Sequence, residues 1–218
     1  MKDPHPKIAQ DKFTPYIYPI KKKLQLNRHI ESKSKYFLEV ILSRESTRVF
    51  TKFTELDLEK LLHYCCQIKS IDFDETGFIL TKRTTPSAGS RHPVDLLISM
   101  PHNLRTLSYY NPLDHTLGEL QIERNKLDNF FLTINKNLPI QNACIIWFSI
   151  QTGKTASKYH NPESLYWRDA GALIYALQLI VTYLGFKSCP IGTLSSDTFN
   201  ELFQDENLLS GGGILISN

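Results

Sequence analysis

Cysteine is scarce in this sequence of 218 residues, with four copies at positions 65, 66, 144 and 189. Two of the four are adjacent and none forms a C-x-x-C pair, a spacing that does not suit an ordinary disulfide framework. The seven histidines do not cluster with other ligand types at the spacing of a zinc site. The sequence therefore predicts reduced thiols and no metal, as is typical of a cytoplasmic protein.

Long apolar runs are also rare. Residues 1–20 contain charges and four prolines but no apolar stretch of the signal-peptide kind, so we expect no secretory signal. Residues 170–186 carry no charge, but 17 residues are at the lower limit for crossing a bilayer, and Gln178 lies in their middle. We interpret this run as a helix buried inside a soluble protein or at a dimer interface, with no membrane partner.

Charge of one sign is in excess only at the N-terminus. The whole chain has a net charge of +3, whereas residues 1–35 contain nine basic and three acidic side chains. A solvated, lysine-rich arm explains this pattern better than a nucleic-acid site, which would need a basic face on the folded body. The remaining composition, with 41% hydrophobic and 11% aromatic residues, is that of an ordinary globular protein.

The order of the predicted elements indicates an α+β protein. Residues 1–30 are proline-rich and predict an extended arm, followed by one domain over residues 31–218. Thr54 and Asp57 form a capping box, and Asn161, Pro162 and Gly185 mark the ends of a long helix. Helices are predicted at 32–43, from 54, at 124–134, 161–184 and from 195 or 196 to 203; strands are predicted at 77–82, 94–100, 104–111, 143–151 and 214–217.

Three polar clusters could carry chemistry. Arg44, Ser46 and Arg48 offer two guanidinium groups and a hydroxyl at the end of a helix, which suits a ligand with a phosphate and a polar ring edge. Residues 83–93 form a loop rich in hydroxyls and glycine that would allow a ligand to approach the backbone closely. Residues 185–192, with Pro190 and Gly192, would present a peptide edge to a flat ligand. The alternative for the first cluster is surface ion pairing, and for the second it is a plain turn. For the third it is a helix end followed by a short strand.

Together these clusters resemble one family. Arg-x-Ser-x-Arg after a first helix, Pro-Ser-Ala-Gly at 86–89, the Tyr-Tyr-Asn-Pro-x-x-His-x-Leu segment at 109–117 and Leu-Gly-x-x-x-x-Pro-x-Gly at 184–192 are similar to motifs of the nitroreductase fold. Within that fold they resemble the SagB-type dehydrogenase branch, over residues 36–217. The resemblance implies a three-layer sandwich, with a central, mainly antiparallel sheet flanked by helices, and a domain-entwined homodimer with two FMN molecules at the interface.

The resemblance also assigns cofactor-binding residues. It implies that Arg44 and Ser46 hold the FMN phosphate and ribityl chain and that Arg48 lies near N1 and O2 of the ring, where negative charge develops on reduction. Residues of the 86–89 loop would reach the ring's polar edge from the opposite subunit, and the Gly192 N–H would approach N5. The full implied set is Arg44, Ser46, Arg48, Pro86, Ser87, Gly89, Pro190, Ile191 and Gly192.

A further match points to the chemistry. Lys158 and Tyr159, followed by Tyr166, Arg168 and Gly171, resemble the Lys-Tyr pair of SagB-type enzymes, which oxidise thiazolines and oxazolines in ribosomally made peptides. Azoline oxidation needs a base for the acidic C–H, and a lysine amine beside a flavin can serve, with the tyrosine hydroxyl orienting it. The alternative for Lys158 is an exposed lysine before a helix, with Tyr159 as a packing residue.

Some positions depart from the branch pattern. No basic residue follows the last predicted strand, so we expect phosphate binding to fall to Arg44 and Lys187, and Ala172 and Ala176 replace polar residues. Two other functions stay open: an NAD(P)H-dependent reductase of nitro compounds or quinones, in which Lys158 has no role, and a noncatalytic docking subunit of a modification complex. The expected partners are a second copy, a peptide or small-molecule substrate and other modification enzymes.

Overall fold

The computed structural model describes residues 2–28, 35–103 and 106–218. The helices in these ranges are α1 (Phe37–Ser43), α2 (Glu55–Cys66), α3 (Arg124–Asn137), α4 (Thr152–Ala156), α5 (Glu163–Leu184) and α6 (Ser196–Phe203). The strands are β1 (His5–Pro6), β2 (Ile20–Gln25), β3 (Ile68–Phe73), β4 (Ile79–Arg83), β5 (Val94–Ser99), β6 (Ser108–Asn111), β7 (Thr116–Leu120), β8 (Cys144–Gln151), β9 (Tyr159–His160), β10 (Lys187–Ile191) and β11 (Leu208–Ser217).

A seven-stranded sheet forms the middle layer. Its strand order is β10-β11-β8-β5-β6-β7-β2, and every neighbouring pair is antiparallel. Strand β8 lies inside the sheet and is buried along its whole length. Because successive side chains of a strand point to opposite faces, β8 supplies alternate residues to two separate hydrophobic cores.

Helices cover both faces of this sheet. Ile146 and Phe148 of β8 belong to the core formed with α2 and α5, whereas Ile145 and Trp147 belong to the core formed with α3 and α6. The result is a three-layer α+β sandwich, which confirms the predicted fold class. No helix among the described residues is long and apolar enough to cross a bilayer.

Helix ends follow the predicted chemistry at two of three positions. Thr54 and Asp57 form the expected reciprocal capping box before α2. Helix α5 ends at Leu184 because Gly185 takes a left-handed conformation with φ 81°. The prediction that Asn161 caps α5 is wrong by one position: Asn161 itself is left-handed, with φ 50°, and Pro162 is the cap residue without a side-chain bond.

The last strand extends further than predicted. The strand was predicted at 214–217, but β11 begins at Leu208 and includes Gly211, Gly212 and Gly213. The register shifts between Ser210 and Gly213, which marks a bulge against β8. A Cβ at Gly213 would lie 2.6 Å from the carbonyl oxygen of Ile146, so glycine is needed where two strands approach closely.

Other boundaries differ by a few residues. Strands β1, β2, β3, β7 and β9 and helix α4 were not predicted, β10 is the short strand that was the alternative for residues 185–192, and α3 extends to Asn137. The first helix is described from Phe37, and the predicted positions 32–34 and 104–105 lie outside the described residues. The N-terminal arm contributes β2 to the sheet edge beside β7 and β1 to a pair with β9.

Candidate active site

The arginine segment lies beside the strand that follows α5. The Thr47 N–H donates to the Ser188 carbonyl of β10 (2.9 Å), and the Gln178 amide of α5 donates to the Ser46 hydroxyl (3.3 Å). These two contacts place residues 44–48 next to residues 187–192. Two of the three sequence clusters therefore come together in one chain.

This first group offers unused cationic donors. Arg44 is half-buried and Arg48 is exposed, and within the described ranges neither makes an ion pair. Lys187, exposed at the start of β10, adjoins Ser188. A set of cations without carboxylate partners suits a phosphate group.

The peptide after β10 is open to a ligand. Pro190 and Ile191 pair with Ile214 and Gly213 of β11, at the edge of the sheet. Gly192 follows directly and is exposed, and a Cβ added there would have no atom within 4 Å. The backbone at Gly192 is therefore accessible to a flat molecule.

The second group is organised around Asp169 of α5. The Ser87 hydroxyl donates to Asp169 Oδ2 (2.6 Å), and the Ala88 N–H lies 3.3 Å from both carboxylate oxygens. The His92 N–H in turn donates to the Ser87 hydroxyl (2.8 Å). Burial raises the pKa of Asp169, and the bonds from Ser87 and Ala88 partly offset this effect. Asp169 thereby anchors the loop at 86–92 to the helix.

Gly89 brings this loop against Lys158 and Tyr159. With φ 60°, Gly89 is left-handed, and a Cβ there would lie 2.9 Å from the Tyr159 hydroxyl and 3.0 Å from Lys158 Nζ. The Lys158 ammonium lies 6.0 Å from the centre of the Tyr159 ring, and the described residues give it no carboxylate partner. The amine and the hydroxyl thus converge on one glycine peptide.

The loop rests on an uncharged histidine. Burial, together with the nearby charge of Arg83, lowers the pKa of His92 to about 3, although a contact of 2.8 Å from Nε2 to the Thr81 carbonyl opposes the shift. Since the imidazole stays neutral at pH 7, it donates to that carbonyl and joins the loop to β4 without adding charge.

Two residues of the Tyr109–Leu117 motif, Tyr110 and His115, have a structural role in the β6–β7 hairpin. His115 Nε2 donates to the Asn27 carbonyl (3.1 Å), so Nδ1 accepts from the Tyr110 hydroxyl (2.9 Å).

Tyr166, which follows the Lys158–Tyr159 pair, is also structural, because its hydroxyl donates to the Thr152 carbonyl (3.2 Å). Among the described residues, Arg168 bonds to Ser164 on the exposed face of α5.

The two groups lie on opposite faces of α5. Asp169, which holds the second group, and Gln178, which holds the first, are nine positions apart. At about 1.5 Å and 100° per residue, they are about 13.5 Å apart along the axis and roughly 180° apart around it. One chain therefore does not bring the two groups together. The first group is Arg44, Ser46, Arg48 and residues 190–192, and the second is Pro86, Ser87, Gly89, Lys158 and Tyr159.

Sequence reasoning missed the residues that hold the site together. Asp169 and Gln178 are buried polar residues among the mainly apolar buried residues of α5. Gln178 was noted only as a sign that the helix does not span a membrane. The partners of Asp169 and Gln178 are distant in sequence, and buried polar residues of this kind need hydrogen bonds, so their burial was the signal that could have found them.

The N-terminal arm is a second missed component. The Lys7 N–H donates to the Lys158 carbonyl (2.9 Å), and the Asp11 N–H donates to the Ser157 carbonyl (2.8 Å). Strand β1 pairs His5 with His160 and Pro6 with Tyr159. The arm therefore fixes the backbone that carries Lys158 and Tyr159.

Comparison with known proteins identifies the family. The sequence model described as the nitroreductase family matches residues 41–209, which is more than half of the chain. The chain belongs to the nitroreductase family. Proteins of this family are generally FMN-dependent oxidoreductases. The comparison with curated protein sequences found no match.

Solved structures share the nitroreductase fold of this chain. A protein of Ralstonia eutropha named as a nitroreductase has a TM-score of 0.71 at 15% identity, and the match covers 97% of this chain and 98% of the other. A second protein so named, from Anabaena variabilis, gives a TM-score of 0.65 at 18% identity, covering 96% of this chain but 43% of the other.

One similar structure is part of a peptide-modifying assembly. A chain of the Escherichia coli microcin synthetase McbBCD complex, with truncated pro-MccB17 bound, has a TM-score of 0.59 at 13% identity. The match covers 91% of this chain and 78% of that one. At these identities the likeness establishes the fold of the nitroreductase-family chain.

Proposed function

We propose that this nitroreductase-family protein is an FMN-dependent dehydrogenase that oxidises thiazolines or oxazolines in a ribosomally made peptide. The convergence of Lys158 Nζ and the Tyr159 hydroxyl on the Gly89 peptide carries the proposal. An amine and a hydroxyl side by side supply a base and a group that orients it. The likeness to a chain of a microcin synthetase complex supports a peptide as the substrate.

The residues present fit FMN. Arg44 and Arg48 are cations without carboxylate partners in the described chain, and the Ser46 hydroxyl lies between them in sequence. Lys187 adds a third positive charge next to this segment. Guanidinium groups bind phosphate through two parallel hydrogen bonds, so Arg44 and Lys187 would hold the phosphate and Arg48 the ring edge. The open backbone at Gly192 leaves room for the flat ring.

A second copy of the chain would complete the site. Because the two residue groups lie on opposite faces of α5, residues 44–48 and 190–192 of one copy would meet residues 86–89, 158 and 159 of the other. The exposed apolar side chains near residues 44–48 support this arrangement: Phe37, Leu38, Leu42 and Val49 are each at least 65% exposed. Large exposed apolar patches on a folded chain mark interaction surfaces.

The oxidation removes one hydride and one proton from the azoline. Bound FMN would supply the two-electron acceptor, and dioxygen would be the final oxidant. Lys158 would take the proton from the acidic C–H, and Tyr159 would orient the Lys158 side chain. The 86–92 loop, anchored by Asp169, keeps both side chains in place.

The test uses FMN-loaded protein and a synthetic peptide with one thiazoline. We expect thiazole formation to fall at least about 100-fold in Lys158→Ala, the usual contribution of a positioned base, while the flavin absorbance is retained. Lys136, which is exposed on α3, provides the control: Lys136→Ala should react as the wild type does. Thiazole formation at the wild-type rate in Lys158→Ala would contradict the assignment of the base.

The same preparation separates the two other functions. Rapid oxidation of NADPH that Lys158→Ala leaves unchanged, with no thiazole formed, would favour a reductase of nitro compounds or quinones. A colourless protein that does not bind added FMN would favour a noncatalytic docking subunit.

A further inference from the structure

We propose that a cavity beneath the N-terminal arm is a second binding site, for a small molecule with a carboxylate on a flat apolar body. The cavity has a volume of 460 Å³. Its walls are residues 12–16 of the arm, the turn and second strand of the β3–β4 hairpin, the β6–β7 turn and the end of β8. None of the candidate flavin residues lines it, so the proposal is independent of the flavin chemistry.

The cavity is large enough for a ligand. Sites for small molecules are commonly about 300–1,000 Å³, with apolar walls and a few polar groups that fix orientation. Phe13, Tyr16 and Phe78 form apolar walls here, and the rings of Phe13 and Phe78 are 6.4 Å apart. These walls suit an aromatic or similarly flat body.

Positive charge exceeds negative charge in the lining. Four cationic side chains and one carboxylate face the cavity. Lys154 is neutralised by Asp95 at 2.8 Å, and Arg91 by Asp74, behind the wall, at 2.7 Å. The two remaining cations are Lys12, which is exposed at the rim, and Arg83.

Arg83 is the cation that an anion would stabilise. Its Nε donates to the Thr81 hydroxyl (2.9 Å), but its terminal nitrogens make no ion pair within the part of the chain that is described. Burial lowers the pKa of Arg83, and the nearby Asp95 carboxylate, which pairs with Lys154, only partly opposes this shift. A cation taken out of water without an ion pair of its own is costly, and the fork of donors on Arg83 matches a carboxylate.

Two neutral donors lie in the same lining. Burial raises the pKa of Tyr109, so its hydroxyl stays protonated, and it has no hydrogen-bond acceptor among the described residues. Asn111 uses its oxygen to accept from the Leu113 N–H (3.0 Å), which leaves its amide nitrogen as a donor. Arg83, Tyr109 and Asn111 together favour an acceptor-only group.

The test measures binding by isothermal titration to the full-length, FMN-loaded protein. The probes are indole-3-acetate, its neutral analogue indole-3-ethanol, and inorganic phosphate. We expect saturable binding of indole-3-acetate, at least about tenfold weaker binding of the alcohol, and no comparable binding of phosphate, which lacks the apolar body. Phosphate binding as tight as that of indole-3-acetate would overturn the assigned ligand class.

Two variants locate the binding. Arg83→Met should weaken indole-3-acetate binding at least about tenfold, the cost of one charge-assisted hydrogen bond. Lys82→Met is the matched control, since Lys82 directly precedes Arg83 on β4, is exposed, and does not line the cavity. If Arg83→Met is too unstable to be measured in the folded state, Tyr109→Phe removes one donor at the same site and should also weaken indole-3-acetate binding. Equal binding in the wild type and the folded Arg83 or Tyr109 variant would overturn the proposal, as would absence of saturable binding at millimolar probe.

Discussion

Gly89 is the residue whose replacement tests the candidate site with the smallest change. It needs a left-handed backbone, and its missing Cβ leaves space for the Lys158 and Tyr159 side chains. We expect Gly89→Ala to lower the free energy of unfolding by about 1–2 kcal/mol through backbone strain, and to displace Lys158 so that thiazole formation also falls. Denaturant unfolding and the thiazole assay measure the two effects.

Gly185 provides the control for backbone strain. It is also left-handed, with φ 81°, but a Cβ there would have no atom within 4 Å. Gly185→Ala should therefore have the strain cost without loss of thiazole formation. If both alanine variants were equally active, the packing of Lys158 against Gly89 would have no catalytic consequence.

Among the elements, the N-terminal arm bonds directly to the backbone of the proposed base, Lys158. Replacing Lys7 by proline removes the N–H that donates to the Lys158 carbonyl. We expect Lys7→Pro to lower kcat for thiazole formation roughly tenfold, because small displacements of a catalytic group cost rate, while KM and flavin content change little.

The control for this prediction is Lys7→Ala. It removes the side-chain ion pair with Asp11 but keeps the backbone donor. Lys7→Ala should therefore keep the wild-type kcat. A kcat for Lys7→Pro equal to that of Lys7→Ala would show that the backbone bond does not position Lys158.

Local signals account for the elements that the sequence predicted well. The capping box at Thr54 and the glycine end of α5 depend on neighbouring residues, so both could be predicted. The glycines of β11 were misjudged because their role depends on the close approach of β8, which is distant in sequence. The arginine and proline-glycine motifs were recognised because each is continuous in sequence. Asp169, Gln178 and the arm contacts of Lys158 were missed because their partners are distant in sequence.

At the scale of the whole molecule, the exposed face of α1 predicts association. Leu42 is 84% exposed, beside Phe37 and Leu38 on the same helix. A buried carboxylate without a partner costs several kcal/mol, so Leu42→Glu should weaken the proposed homodimer at least about 100-fold and release FMN from the proposed two-copy site. Analytical ultracentrifugation and flavin absorbance measure both changes.

Leu132 is the matched control for dimerisation. It is 58% exposed but lies on α3, in the layer on the other face of the sheet. Leu132→Glu should stay dimeric and yellow. A wild-type chain that sediments as a monomer with flavin bound would remove the two-copy site from the proposal.

The separation of the two residue groups across α5 has a consequence for mixed assemblies. Each proposed site takes its arginines from one copy and its lysine from the other. An Arg44 variant and a Lys158 variant, each inactive alone, would place both defects in one site of a hybrid pair and leave the other site intact. Co-expressed, they would complement one another, and half of the catalytic capacity of each hybrid would return.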